Sequence, residues 1–208
     1  MSFSEKTLEE FTSALASASP APGGGGASAL AGALAAALGN MVGSLTVGKP
    51  RYAPAEPRLL LLNRQAEALR NEFLALIGED AEAFEPLARA YAIPKNAPGR
   101  AKIMEAALAR AAEPPLKIMR KVGETVELLA AYAAAGPPLT ISDVGCGAAL
   151  CMGALEAAAL NVYINTRSMA NRDLVKSIEA EADRLLHDYL PMADGIYQVV
   201  TRRLRDNG

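Results

Sequence analysis

The chain has 208 residues, of which 51% are hydrophobic, 5% aromatic and 21% charged, and its formal net charge is −2. That length suits one domain, or at most two small ones, with a core large enough to need neither metal nor disulfide. A balanced charge points to no nucleic-acid and no membrane-surface partner, while two cysteines and one histidine are too few for a disulfide framework or a zinc centre, so no metal is expected.

Alanine and leucine make up about a third of the chain, which favours helices over a β-sandwich or barrel. Ser2 and Glu5 have capping-box spacing. Phe3, Leu8, Phe11 and Leu15 recur at helical intervals, predicting a first helix that ends before Pro20. Pro20, Pro22 and the four glycines Gly23, Gly24, Gly25 and Gly26 predict a hard break. Residues 11–48 carry no charge, a length that by itself would suit a membrane span. The stretch is rich in small residues rather than leucine and lacks an aromatic belt. It is therefore expected to be a core helix over 27–47, packed closely through Ala29, Gly32, Ala33 and Ala36. Residues 49–57 read as a proline-rich loop. Helices are predicted at about 57–91, 100–112, 116–135, 142–166, 173–190 and 192–205, with breaks at Pro114-Pro115, at Gly136-Pro137-Pro138 and at Pro191. The expected fold is all-α: a single-domain helical bundle of seven to nine helices over residues 1–208, dimeric because alanine-rich faces need a cover. No signal peptide is read at the N-terminus, so the expected compartment is the cytoplasm.

Three segments imitate known motifs. Residues 43–50 approach the phosphate-loop pattern, but Pro50 replaces the magnesium-binding hydroxyl residue and no strand precedes it. Residues 143–149 approach the glycine-rich turn of methyltransferases, yet their flanks read as a proline loop and an alanine-rich helix, with Ser142 or Asp143 as its cap. His187 lies on a charged amphipathic helix with no nucleophile-elbow sequence anywhere in the chain, so it reads as a surface or interfacial histidine.

Asp80 departs from its surroundings. Its helical neighbours Phe73, Leu76, Ile77, Ala83, Phe84 and Leu87 are all apolar, whereas Glu79, Glu82 and Glu85 fall off that stripe. A carboxylate on an apolar stripe must be paired, cap a helix broken at Gly78, or hold a raised pKa. The last is what a general acid–base catalyst needs. The glycine run reads either as a hinge or as a turn that offers bare amides to a planar or anionic ligand. Lys49 and Arg51, at the other end of the following helix, could receive a ligand carboxylate.

Pro22-Gly-Gly-Gly-Gly-Ala-Ser-Ala-Leu-Ala-Gly-Ala-Leu, followed by Met41-Val-Gly-Ser-Leu-Thr-Val-Gly-Lys-Pro-Arg-Tyr52, resembles the opening of the cyclodeaminase/cyclohydrolase family. Asp80-Ala-Glu-Ala-Phe84, Ile93-Pro-Lys-Asn96, and the segment from Ser142-Asp143 to Asn161-Val-Tyr-Ile-Asn165 are similar to further segments of that family. It contains the C-terminal half of formiminotransferase–cyclodeaminase and stand-alone bacterial methenyltetrahydrofolate cyclohydrolases. The resemblance implies an all-α fold, a homodimer, and a folate site near Gly23 to Gly26, with Ser28, Tyr52 and Asn161 among the substrate-binding positions and Asp80 as proton donor. It implies no cofactor, the tetrahydrofolate derivative being the substrate.

The expected activity is hydrolysis of 5,10-methenyltetrahydrofolate to 10-formyltetrahydrofolate, since the chain lacks a formiminotransferase half. The alternatives are formiminotetrahydrofolate cyclodeamination with release of ammonia, and non-catalytic folate binding by the same helical fold. In either reaction one carboxyl group of raised pKa serves as base and then as acid. The anionic glutamyl tail calls for Lys49, Arg51 or Lys95, and the pterin for donors and acceptors such as Asp143.

Overall fold

The computed structural model describes residues 3–206, the side chain of Pro138 excepted, and these residues are helical with no strand. Thr7 opens the first α-helix with a capping box: the Glu10 N–H donates to Thr7 Oγ1 at 3.1 Å and the Thr7 N–H to Glu10 Oε2 at 2.9 Å. The expected box at Ser2 lies outside the described residues. Six α-helices follow one another, α1 (Leu8–Leu15), α2 (Gly24–Ser44), α3 (Glu56–Tyr91), α4 (Arg100–Ala135), α5 (Ile141–Thr166) and α6 (Arg172–Arg205), with 3-10 helices at Phe3–Glu5, Pro50–Ala55 and Pro138–Thr140.

The breaks expected at Pro114-Pro115 and at Pro191 do not occur; α4 and α6 run through them. An interior proline costs about 3 kcal/mol, through one lost hydrogen bond and crowding of the carbonyl four residues back. In α4 both prolines are buried and the helix packs against α2, α3, α5 and α6. Each fully buried aliphatic side chain contributes about 1.5–3 kcal/mol, so tertiary packing outweighs the local penalty. The glycine run likewise belongs to α2 rather than preceding it. Gly23 is its N-cap and Gly24, Gly25 and Gly26 form its first turn, where backbone N–H groups lack intrahelical partners in any case. Helix α5 begins at Ile141 with Thr140 at its N-cap, so neither Ser142 nor Asp143, the expected caps, holds that position.

Helices α2 to α6 form successive antiparallel pairs. Gly32 of α2 meets the ring of Phe73 in α3 so closely that a Cβ there would lie 2.5 Å from Phe73 Cε1. Glu79 of α3 pairs with Lys117 of α4 at 2.9 Å. Gly147 of α5 faces Leu129 of α4 and the Ala35 carbonyl of α2, and Gly145 faces Val200 of α6. Small residues at these crossings let the backbones approach, and Ala29, Ala33 and Ala36 are buried at the same interfaces. Helices α2 and α5 are each long and apolar enough to cross a membrane. Here they form the middle of the bundle, α2 against α3, α4 and α5, and α5 against α2, α4 and α6. Beyond the N-terminus of α2, α3 and α4 continue and build a second apolar cluster, Leu87 and Leu108, with Met169 of the α5–α6 turn and Val175 of α6.

Candidate active site

The antiparallel pairing of α2 and α3 sets the first turn of α2 against Asp80. A Cβ on Gly25 would overlap the Asp80 carboxyl group, so only glycine permits this approach. Helix α3 is continuous through Gly78, so Asp80 is no N-cap, and among the described residues no cationic side chain pairs with it. Phe73, Leu76, Ile77, Ala83 and Leu87 are buried around it, while Phe84 and Asp80 itself are half-buried. Desolvation pushes the Asp80 carboxyl from 3.8 up to about 6, and the Gly26 N–H, which donates to it, offsets part of the rise. Glu79, Glu82 and Glu85 are exposed, as their places off the stripe require.

Asp80 opens into a cleft of about 130 Å³ where the N-terminus of α2 meets α3, α4 and the C-terminal half of α5. Gly23, Gly24, Gly25, Phe84, Asn161 and Asn165 line it, together with Ala111 of α4. Gly24 lies against the Asn161 amide: a Cβ there would be 2.9 Å from Asn161 Nδ2. Asn161 Nδ2 donates to the Ala157 carbonyl at 2.7 Å. Ser28 does not reach the cleft. It is 2% exposed, and its Oγ donates to the Gly25 carbonyl at 2.8 Å, which stiffens the turn from behind. Asn165 is absent from the residues that charge or folate chemistry singles out. Its signal is the spacing of two asparagines one helical turn apart on an otherwise apolar helix.

The structure does not bring the other expected binding residues to this cleft within one chain. Lys49, Arg51 and Tyr52 follow the C-terminus of α2, whose 21 residues place them about 30 Å from Gly24 by helical rise. Lys49 and Arg51 are exposed, and the Arg51 guanidinium lies 5.9 Å from the Tyr52 ring centre. Asp143 sits in the first turn of α5, about 27 Å along that helix from Asn161. Lys95 is exposed in the turn after α3, nearer the cleft: about 16 Å of helix separates Asp80 from the end of α3.

A larger groove of about 400 Å³ runs between α3 and α4, lined by Leu62, Leu69, Glu72, Glu124 and Glu127. Lys121 bridges Glu72 at 2.6 Å and Glu124 at 3.0 Å, and Glu127 accepts from the Tyr189 hydroxyl at 2.9 Å, so each of these acids is already partnered. Residues 43–50 end a helix and turn through Gly48, whose N–H donates to Glu56 Oε2 at 3.0 Å. Residues 143–149 lie inside α5. The His187 side chain is 88% exposed, beside Asp188.

A family model described as formiminotransferase-cyclodeaminase matches residues 7–184. The chain is 37% identical over 204 residues to a methenyltetrahydrofolate cyclohydrolase of Methylorubrum extorquens, covering 96% of this chain and 98% of that one. It is 29% identical over 187 residues to the formimidoyltransferase-cyclodeaminase of Gallus gallus, covering 88% of this chain but about a third, 35%, of the relative. A crystal structure of formiminotetrahydrofolate cyclodeaminase from Thermotoga maritima superposes with a TM-score of 0.83 at 29% identity, covering 97% of both chains.

Proposed function

The chain belongs to the formiminotransferase-cyclodeaminase family, and from that premise we propose that it is a methenyltetrahydrofolate cyclohydrolase, converting 5,10-methenyltetrahydrofolate and water to 10-formyltetrahydrofolate. The observation that carries the chemistry is Asp80, unpaired and half-buried at a cleft whose other wall is the bare glycine turn of α2. The cation of the methenyl substrate suits a cleft whose one charged side chain is a carboxylate. Ionised Asp80 takes a proton from the attacking water, then returns it to the departing ring nitrogen. A carboxyl group near 6 is mostly ionised at neutral pH, yet acidic enough once protonated to pass the proton on.

As the base in the first step, Asp80 must be ionised. kcat/KM should therefore be flat above pH about 6 and fall about tenfold per unit below it; a profile with no acid limb between pH 5 and 7 argues against the assignment. Direct assay is simple. Purified protein mixed with 5,10-methenyltetrahydrofolate should accelerate the decay of its absorbance over buffer alone. Tight folate binding without acceleration would favour the non-catalytic binding protein.

A second reading, cyclodeaminase, is favoured by the superposition on the Thermotoga maritima cyclodeaminase. Expulsion of ammonia from a formimino carbon asks the same proton shuttle of Asp80. Ammonia release from formiminotetrahydrofolate, faster than hydrolysis of the methenyl compound, would put that reading first.

For the glutamyl tail Lys95 is the better placed cation within one chain. Lys95→Ala should raise KM at least about threefold and leave kcat nearly unchanged, because the tail binds alike in ground and transition states; a fall in kcat alone would remove Lys95 from tail binding. The proposal extends to a single helical domain acting as a cytoplasmic homodimer with no cofactor. What supports the dimer is the outward face of α2 and α5, where Leu34, Met41, Leu45, Leu160 and Ile164 stay exposed on helices that are apolar all round. A second copy laid antiparallel on that face would also carry its Lys49 and Arg51 toward the glycine turn.

A further inference from the structure

Pro115 lies inside α4. In a helix the Ala111 carbonyl would accept from the N–H of residue 115, but proline has none, and its ring pushes that carbonyl outward. Asn165 of α5 meets it instead: Asn165 Nδ2 donates to the Ala111 carbonyl at 3.1 Å and to the Asn161 carbonyl at 2.8 Å. Two carbonyl acceptors can be satisfied only by an NH2 group, so the network itself fixes which way the amide points. With both N–H bonds used, Oδ1 is the one polar side-chain atom of Asn165 left, and no group of the described residues donates to it. No buried side-chain oxygen or nitrogen of the described residues lacks a partner, so Oδ1 is open to solvent. The opening that Asn165, Ala111 and Asp80 border together is the cleft.

We propose that Asn165 Oδ1 accepts a hydrogen bond from the water that Asp80 deprotonates, and that Pro115 is the positioning residue that holds Asn165 in this orientation by freeing the Ala111 carbonyl. The inference rests on the cyclohydrolase reading. A water molecule has two protons. One directed at a carboxylate and the other at an amide carbonyl leave its lone pairs facing the methenyl carbon. In the addition the water oxygen bonds to that carbon, one proton passes to Asp80, and the other stays on the oxygen against Asn165. Asp80 returns its proton to the ring nitrogen, the carbon–nitrogen bond breaks, and the remaining O–H proton leaves through the re-ionised Asp80 to solvent. Cation and water thus become a neutral formyl product and one released proton. The double proline that reads as a helix breaker thereby gains a chemical role.

The test compares steady-state hydrolysis of 5,10-methenyltetrahydrofolate by the wild-type chain, Asn165→Leu and Pro115→Ala, with a melting curve for each. Asn165→Leu keeps the branched shape and removes the acceptor together with the two N–H donors; its kcat should fall at least about tenfold with KM within about twofold. Pro115→Ala restores an N–H that competes for the Ala111 carbonyl and releases the Asn165 amide. It should lower kcat at least about threefold while the melting temperature holds or rises, since alanine is the better helix former. A purely structural proline would show no such kcat loss. Asn165→Leu with normal kcat, or with only KM raised, overturns the proposal. Should Asn165→Leu fail to fold, unchanged kcat in Pro115→Ala overturns it. Wild-type protein no faster than buffer would sink the cyclohydrolase reading and this inference together, whereas an active wild type with indifferent variants sinks the inference alone.

Discussion

Asp80→Asn should lower kcat for methenyltetrahydrofolate hydrolysis at least about a hundredfold, the low end of what a positioned acid–base group contributes. Asparagine keeps the volume and can still accept from the Gly26 N–H, so the glycine turn keeps its shape while the proton carrier is gone. The acid limb of the pH profile should vanish with it. Stability should move the other way. A carboxyl whose pKa is raised in the fold, from 3.8 to about 6, stabilises fully only below the lower value and loses that contribution as pH rises through the upper one. At neutral pH the ionised group is therefore a burden of about 3 kcal/mol at most, taking 1.36 kcal/mol per unit, and the neutral amide relieves it. The variant should melt no lower than wild type at pH 7 and should show its gain shrinking as pH falls below about 6. Loss of activity with a steady or higher melting temperature separates a chemical role from a structural one. Turnover close to wild type in a folded Asp80→Asn protein would remove Asp80 from the mechanism.

The sequence made Asp80 legible because a helix writes its burial pattern at a fixed period: six apolar neighbours around one acid can be counted without coordinates. The same rule found α2, whose small residues announce close backbone approach, and the structure buries Ala29, Gly32, Ala33 and Ala36 at its crossings. What stayed hidden depends on partners distant in the chain. Pro114, Pro115 and Pro191 read locally as breakers, and only the helices packed around α4 and α6 show why they are tolerated. The glycine turn read as a break before a helix, because nothing local reveals that Asp80 and Asn161 stand where side chains would be. Asn165 pairs with a carbonyl 54 residues earlier, a relation no periodicity records. Lys49 and Arg51 suit a folate tail by charge, and the helix length between them and the glycine run, already readable in the sequence, is kept in the structure.

Gly25→Ala should cost activity out of proportion to the one methyl group it adds. Its Cβ would collide with the Asp80 carboxyl, a short side chain rooted on a buried helix face, so either the carboxyl rotates away from the cleft or α2 and α3 separate. Rotation displaces the proton carrier by about the length of a bond or more, and misplacement of about 1 Å can cost a hundredfold; we expect kcat to fall by at least about thirtyfold. The stability terms oppose each other: alanine in a helix gains up to about 1 kcal/mol over glycine, whereas overpacking costs about 1–3 kcal/mol. The melting temperature should therefore drop only modestly, far less than the activity. Gly195→Ala, on α6 with open space where its Cβ would go, is the matched control, and it should turn over as wild type does. Because Gly25 acts through Asp80, the two effects should not add. In an Asp80→Asn background, Gly25→Ala should lower kcat little further, the coupling expected of residues in direct contact. Full additivity, or a folded Gly25→Ala enzyme with undiminished turnover, would mean that the approach of the first turn of α2 to Asp80 is packing alone and that the proton carrier is held by something else.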